Sequence, residues 1–265
     1  MANEWRLAAN RPDDNTDACG GAMDATMRWP SYTETDGLGG GSGDYIDFVS
    51  TSAADTQNVT VIGKDADGLW QSETVALTGT SHVQTTNEYL HIRRIKLASA
   101  ANGTVTVSEY DSGSYSELFE IPATEKGVSH LFLYLDAEEA GGSPVVAYEK
   151  LFLVPDGSAY SGVKIYMPTD EDSELAMDLE MSGGSTATEG TEQVTNRLTE
   201  PTGGGSYSWA DHATLGAAHD AGDAEDGNLT DGEEQGIWVR ATFAAGATPE
   251  VQVLFELAWS ATGVS

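Results

Sequence analysis

From Asn58 to Val107 the chain reads NVTVIGKDADGLWQSETVALTGTSHVQTTNEYLHIRRIKLASAANGTVTV, a succession of short apolar and polar alternations broken at each end by turn residues. Val59 to Ile62 and Thr74 to Leu77 flank Lys64-Asp65-Ala66-Asp67-Gly68, where Asp and Gly tolerate the left-handed backbone that a reversal needs. The topology expected here is therefore an antiparallel hairpin. A second break at Thr78 to Asn87 leads into Tyr89 to Ala98, and Ala101-Asn102-Gly103 turns the chain into Thr104 to Val107. A chain that opens this way is committed to many short strands, and its 30 glycines supply the turns. The class expected is all-β.

Strands are expected at Tyr45 to Ser50, Asn58 to Gly63, Trp70 to Leu77, Tyr89 to Ala98, Thr104 to Tyr110 and Glu117 to Ile121 in a first half. The second half adds 130–136, Val145 to Val154, Gly162 to Met167, Glu174 to Met181, Gln193 to Leu198, Gln235 to Phe243 and Glu250 to Ala261. Turns every ten or so residues suit an antiparallel sandwich or jelly-roll-like arrangement. Leu175, Met177, Leu179 and Met181 alternate with Ala176, Asp178 and Glu180, and Val251 to Trp259 alternates in the same manner, so each strand offers one apolar face. The organisation expected is an N-terminal arm at 1–43, a β domain at 44–122 and a second at 123–265 that carries a long acidic loop at 182–234.

The arm has spaced apolar anchors, Trp5, Met23, Met27 and Trp29, in a polar background, and a short helix fits around Ala18 to Arg28. Anchors without a core of their own need a partner surface, either the chain's own sheets or a neighbouring subunit. In the long loop, Tyr207 and Trp209 are an aromatic pair placed to dock onto something.

Charge narrows the setting. The chain has 43 acidic and 12 basic residues, a formal net charge of −31. Self-repulsion of that size is tolerable where salt is concentrated, because screening shortens the Debye length to about 3 Å at 1 M. A halophilic solvent is expected, and the scarcity of lysine, five in all, fits it. Duplex DNA is disfavoured as a direct partner, since phosphate binding needs clustered Lys and Arg. The lone pair Arg93-Arg94 lies inside a predicted strand. A single cysteine, Cys19, forms no intrachain disulfide, and no stretch approaches the roughly 18 apolar residues of a membrane helix. The opening Met1 to Arg6 has no apolar signal region, so a soluble product is expected.

Catalytic signatures are missing: no nucleophile elbow, no phosphate loop and no dinucleotide fingerprint after a strand. The five histidines, His82, His91, His130, His212 and His219, are too dispersed for a zinc motif. The acids nearest to a calcium or magnesium loop are Asp220, Asp223, Asp226 and Asp231, at offsets that depart from the D-x-D-x-D-G pattern. A solvated acidic loop is the simpler reading. No cofactor and no enzymatic activity are expected.

The hairpin VTVIGKDADGLWQSETVALTG, the following LHIRRIKLASAANGTVTV, the segment Ala147 to Val154 and the closing Gly236 to Gly246 resemble β-rich virion structural proteins of tailed viruses. The resemblance covers about half the chain. It implies a component of the particle, present in many copies, without catalysis, and does not by itself separate a capsid auxiliary or decoration protein from a tail or vertex component; the acidic composition adds a halophilic archaeal host. The role expected is a minor capsid, decoration or turret protein that stabilises the outside of the head. A tail or adsorption protein that contacts the host surface is the alternative, and a cellular adhesion module is the reading from another class. Partners would be copies of the chain, a trimer favoured over a pentamer or hexamer, and other virion proteins such as the major capsid protein, with no nucleic acid and no membrane. Made in the host cytoplasm, the protein would reside in the virion. Trp5, Trp29, Tyr207 and Trp209 are the residues expected to serve assembly.

Overall fold

The structure, a computed structural model, describes residues 4–12, 15–29, 38–133, 142–155, 157–170, 175–181, 192–201, 209, 219–220, 227–231, 233–246 and 255–264. In chain order the strands are β1 (Glu4–Asn10), β2 (Cys19–Arg28), β3 (Tyr45–Ser50), β4 (Asn58–Lys64), β5 (Trp70–Ala76), β6 (Val83–Gln84), β7 (His91–Leu97), β8 (Val105–Asp111), β9 (Ser114–Ile121) and β10 (Gly127–Ser129). They continue as β11 (Val145–Val154), β12 (Tyr160–Ser161), β13 (Lys164–Asp170), β14 (Leu175–Met181), β15 (Gln193–Val194), β16 (His219–Asp220), β17 (Gln235–Phe243), β18 (Phe255–Ser260) and β19 (Gly263–Val264). Among the described residues there is no α-helix and no sheet closes into a barrel. The longest sheet has ten strands and is mixed, because β10 runs parallel to β2; every other pairing whose register is given below is antiparallel.

The chain divides into two compact units, Ala25–His130 and the two chain ends, Met1–Asp24 with Leu131–Ser265. In the first, β10, β7, β4 and β5 are neighbours in one sheet, and β6, β3, β8 and β9 form another of four strands. The expected hairpin is present: β4 and β5 pair from Asn58↔Ala76 to Lys64↔Trp70. Its reversal is fastened by the Asp65 carboxylate, which accepts from the N–H groups of Asp67 and Leu69, both at 2.9 Å. Val59, Val61, Ile92, Ile95, Leu97 and Val128 from one sheet share a single apolar core with Ile46, Phe48, Val105, Val107, Phe119 and Ile121 from the other. Burying each such side chain contributes about 1.5–3 kcal/mol. Two glycines let the backbones close. A Cβ on Gly63, beside the bulge between Ile62 and Gly63, would meet the His91 carbonyl and the Tyr89 ring. One on Gly127 would collide with the Ile95 carbonyl, at a φ of +145° that disfavours any side chain.

The second unit is assembled from the two ends of the chain. Its main ladder runs β14, β17, β11, β1 and then the first part of β2, which also pairs with β15. Register is fixed from Val145↔Phe243 to Leu153↔Gln235 between β11 and β17, and from Glu4↔Val154 to Leu7↔Leu151 between β1 and β11. Smaller sheets join β16, β13 and β18, and β12 with β19.

Several expectations change here. The helix placed around Ala18 to Arg28 is strand β2. Its alternation of Met23, Ala25 and Met27 with Asp24, Thr26 and Arg28 has the period of a strand. Of the two surfaces open to the N-terminal anchors, residues 4–10 occupy the chain's own sheet. The strand expected at 130–136 lies earlier, at Gly127–Ser129: Phe132 takes a positive φ of 57°, and its N–H is held by the Glu149 carboxylate at 2.8 Å, so the chain bends at Leu131 to Leu133. Residues 134–136 lie outside the described residues. The 182–234 stretch returns to sheets twice, as β15 on β2 and β16 on β13. Glu180, on the polar side of its strand by pattern, is buried.

Candidate functional site

The residues singled out by sequence are dispersed. Trp5 is half-buried on β1, with Leu153 as its cross-strand partner. Trp29, just past β2, is half-buried and sets its ring edge-on to His130 at 5.3 Å. Trp209 is docked: its ring lies 5.3 Å from Tyr148, the Arg240 guanidinium sits 5.1 Å from its centroid, and its Nε1–H donates to Glu200 at 2.8 Å. Arg240 is in turn held by Asp178 on the neighbouring strand at 2.6 Å. Beneath Trp209 lies a small cluster of Cys19, Tyr148, Val194 and Trp238. Tyr207, Asp223 and Asp226 lie outside the described residues, as does the Asp220 side chain, while Asp231 is exposed in a turn. Among the described residues no three His, Cys, Asp or Glu side chains gather as metal ligands.

Three polar constellations were not legible as sites in the sequence. In the two-ended unit, Arg197 is buried; its Nε donates to Asn15 Oδ1 and its Nη1 to the Leu133 carbonyl, both at 2.6 Å, with Glu149 at 3.6 Å. Nearby, the Cys19 thiol donates to the Tyr148 carbonyl at 3.2 Å, and burial, together with Glu149, raises its pKa well above the ordinary thiol value.

The second lies in Ala25–His130. Asp55 is buried and accepts from Ser50 Oγ at 2.6 Å, from the backbone N–H groups of Asn102 at 2.7 Å and Gly103 at 3.0 Å, from Asn102 Nδ2 at 3.0 Å and from Gln57 Nε2 at 3.2 Å. Burial opposes ionisation, but the donors from Asn102, Ser50 and Gly103 outweigh it and hold the carboxyl far below the usual range. The turn at Asn102-Gly103 is thereby clamped to the loop after β3.

The third is on the outer face of the four-stranded sheet, where Asp47 of β3 stands opposite Ser108 of β8. Asp47 is 0% exposed although Tyr45, two residues earlier on the same face, is only half-buried. The His82 Nδ1 lies 2.6 Å from its Oδ2, and the His82 ring stacks on Tyr115 of β9, centroids 4.2 Å apart. Tyr110 extends the stack at 5.2 Å. Burial raises the Asp47 pKa, and hydrogen bonds from His82 and from the Gln84 side chain offset part of the rise. Asp47 Oδ1 has no hydrogen-bond partner among the described residues. Alternation marks Asp47 as outward-facing; that His82 and Tyr115 lean in to cover it depends on strand order.

No protein-family model, no curated protein and no solved structure matches the chain.

Proposed function

We propose that the chain is a virion structural protein of a tailed virus, a minor capsid, decoration or turret component that stabilises the head from outside, in a halophilic setting. The observation that carries the reading is β1: the strand Glu4–Asn10 is laid into a ladder against β11, far along the chain. A strand paired with so distant a part of its own chain is an element that copies of a protein can exchange when they staple one another together. A jelly-roll-like sandwich is the finer architecture that goes with this role. The net charge of −31 suits a many-copy assembly facing concentrated salt. Light scattering on the protein purified in about 2 M KCl, where screening is nearly complete, tests the reading: a trimer, pentamer or hexamer supports it, and a monomer at every concentration removes self-assembly from it.

The adsorption reading has its own support. Leu69, 64% exposed, and Tyr115, 46% exposed, stand at the tips of the β4–β5 and β8–β9 hairpins. Exposed apolar tips are suited to touching another molecule. Loss of host-cell attachment in a particle carrying Leu69→Ser and Tyr115→Ser, with the head intact, would favour it.

A further inference from the structure

We propose that the outer face of the four-stranded sheet in Ala25–His130 binds an organic cation bearing N–H donors, an ammonium or guanidinium group, seated on Asp47 beneath the rings of His82 and Tyr115. The proposal stands apart from the assembly reading.

It begins with an imbalance. Asp47 has no exposed surface; His82 engages Oδ2 and the Gln84 side chain also bonds to the carboxylate, yet Oδ1 makes no hydrogen bond among the described residues. Leaving a buried carboxylate oxygen without a hydrogen bond is unfavourable, the more so when the group is charged. The missing partner has to donate a hydrogen bond, and a positive charge adds to its hold on a carboxylate. Among the described residues no third imidazole, thiol or carboxylate joins Asp47 and His82 to hold a polyvalent metal ion. A cationic N–H group meets both needs through a single atom.

The surroundings admit such a group. Solvent already reaches both His82, which holds Asp47 Oδ2, and Tyr115, which stacks on His82: the His82 side chain is 44% and Tyr115 46% exposed. Tyr115 lies two residues past the tight turn at Ser112-Gly113, where Ser112 has a φ of 49° and Gly113 one of 99°. Surface rings of this kind change rotamer in picoseconds to nanoseconds. Once seated, the cation is flanked by His82, Tyr115 and Tyr110, which keep water from competing for the carboxylate. The field of a chain at −31 draws cations from a distance. Two sources share this chemistry: a lysine or arginine side chain of a partner protein, and a free polyamine.

The test uses the full chain in about 1 M KCl, where non-specific attraction is screened. N-acetyl-lysine methylamide, N-acetyl-arginine methylamide and spermidine are titrated while the His82 and Tyr115 ring resonances are followed by NMR. A saturable shift with at least one of them, weakened about tenfold by Tyr115→Ala and lost in Asp47→Asn, is the expected result. Should Asp47→Asn fail to fold, the exposed Tyr115→Ala variant decides. Preference for the amino-acid derivatives assigns the site to a partner's side chain, and preference for spermidine assigns it to a free amine. The proposal is overturned by no saturable shift at any millimolar concentration, by the same shift on adding KCl alone, or by titrations that Tyr115→Ala leaves unchanged.

Discussion

The two units differ in how the chain supplies them. Ala25–His130 is one continuous stretch whose hairpins, β4–β5 and β8–β9, join near neighbours in sequence around one apolar core. The other unit needs both ends at once: β1 and the start of β2 must be in place before β11 and β15 are fully paired. Charge follows the same division. The continuous unit has fourteen acidic and six basic residues, whereas the two-ended one has twenty-nine and six. A region that is local in sequence and modestly charged can fold on its own account; one that is stitched from distant strands under strong self-repulsion relies on cross-chain pins such as Arg197 and on salt.

The comparison breaks most visibly under dissection. Residues 25–130 expressed alone should unfold cooperatively in urea, while 131–265 alone should lack the circular dichroism of a sheet until residues 1–24 are supplied; a folded 131–265 fragment would erase the contrast. Next in size is Arg197→Met, which strips Glu149, Asn15 and the Leu133 carbonyl of their shared partner. A loss of about 3–5 kcal/mol is expected by urea titration, as for other broken buried pairs. In the continuous unit, Asp55→Ala should cost about 2–3 kcal/mol, since charge-assisted bonds are lost together. The sign of its pH effect is set by the lowered carboxyl pKa: the stabilisation is complete above the unfolded value of about 3.9 and is lost as pH falls below it. The variant's stability should therefore converge on the parent's in acid, and a constant gap would contradict the assignment. Smallest is the response to salt. Lowering KCl from molar to about 0.1 M, where the Debye length reaches about 10 Å, should cost on the order of 1 kcal/mol, with amide exchange quickening first in the two-ended unit. Equal quickening in both would mean that charge density is not what separates them.

What the sequence revealed follows the same line. Strands β3, β11 and β17 coincide residue for residue with the runs read from alternation, because each is long, apolar on at least one face and bounded by turn residues. Strands β1 and β2 were hidden: alanines dilute the period of β1, Gly20 and Gly21 mask the start of the alternating run in β2, and their partners, β11 and β15, lie too far along the chain for a local pattern to announce. The polar constellations were hidden for a related reason. Asp47, Asp55 and Arg197 look like surface residues by type, and only strand order and loop closure bring His82 and Tyr115, Asn102 and Gly103, or Asn15 and Leu133 to meet them.

Cys19 turns this architecture into a clock. It is the chain's one thiol, buried at the start of β2, and burial keeps it protonated and unreactive. A thiol reagent reaches it only after β15 and Tyr148 have separated from it, so the labelling rate in excess reagent counts excursions of the two-ended unit one molecule at a time. The wild-type protein thus carries its own reporter of local opening around β2 and β15.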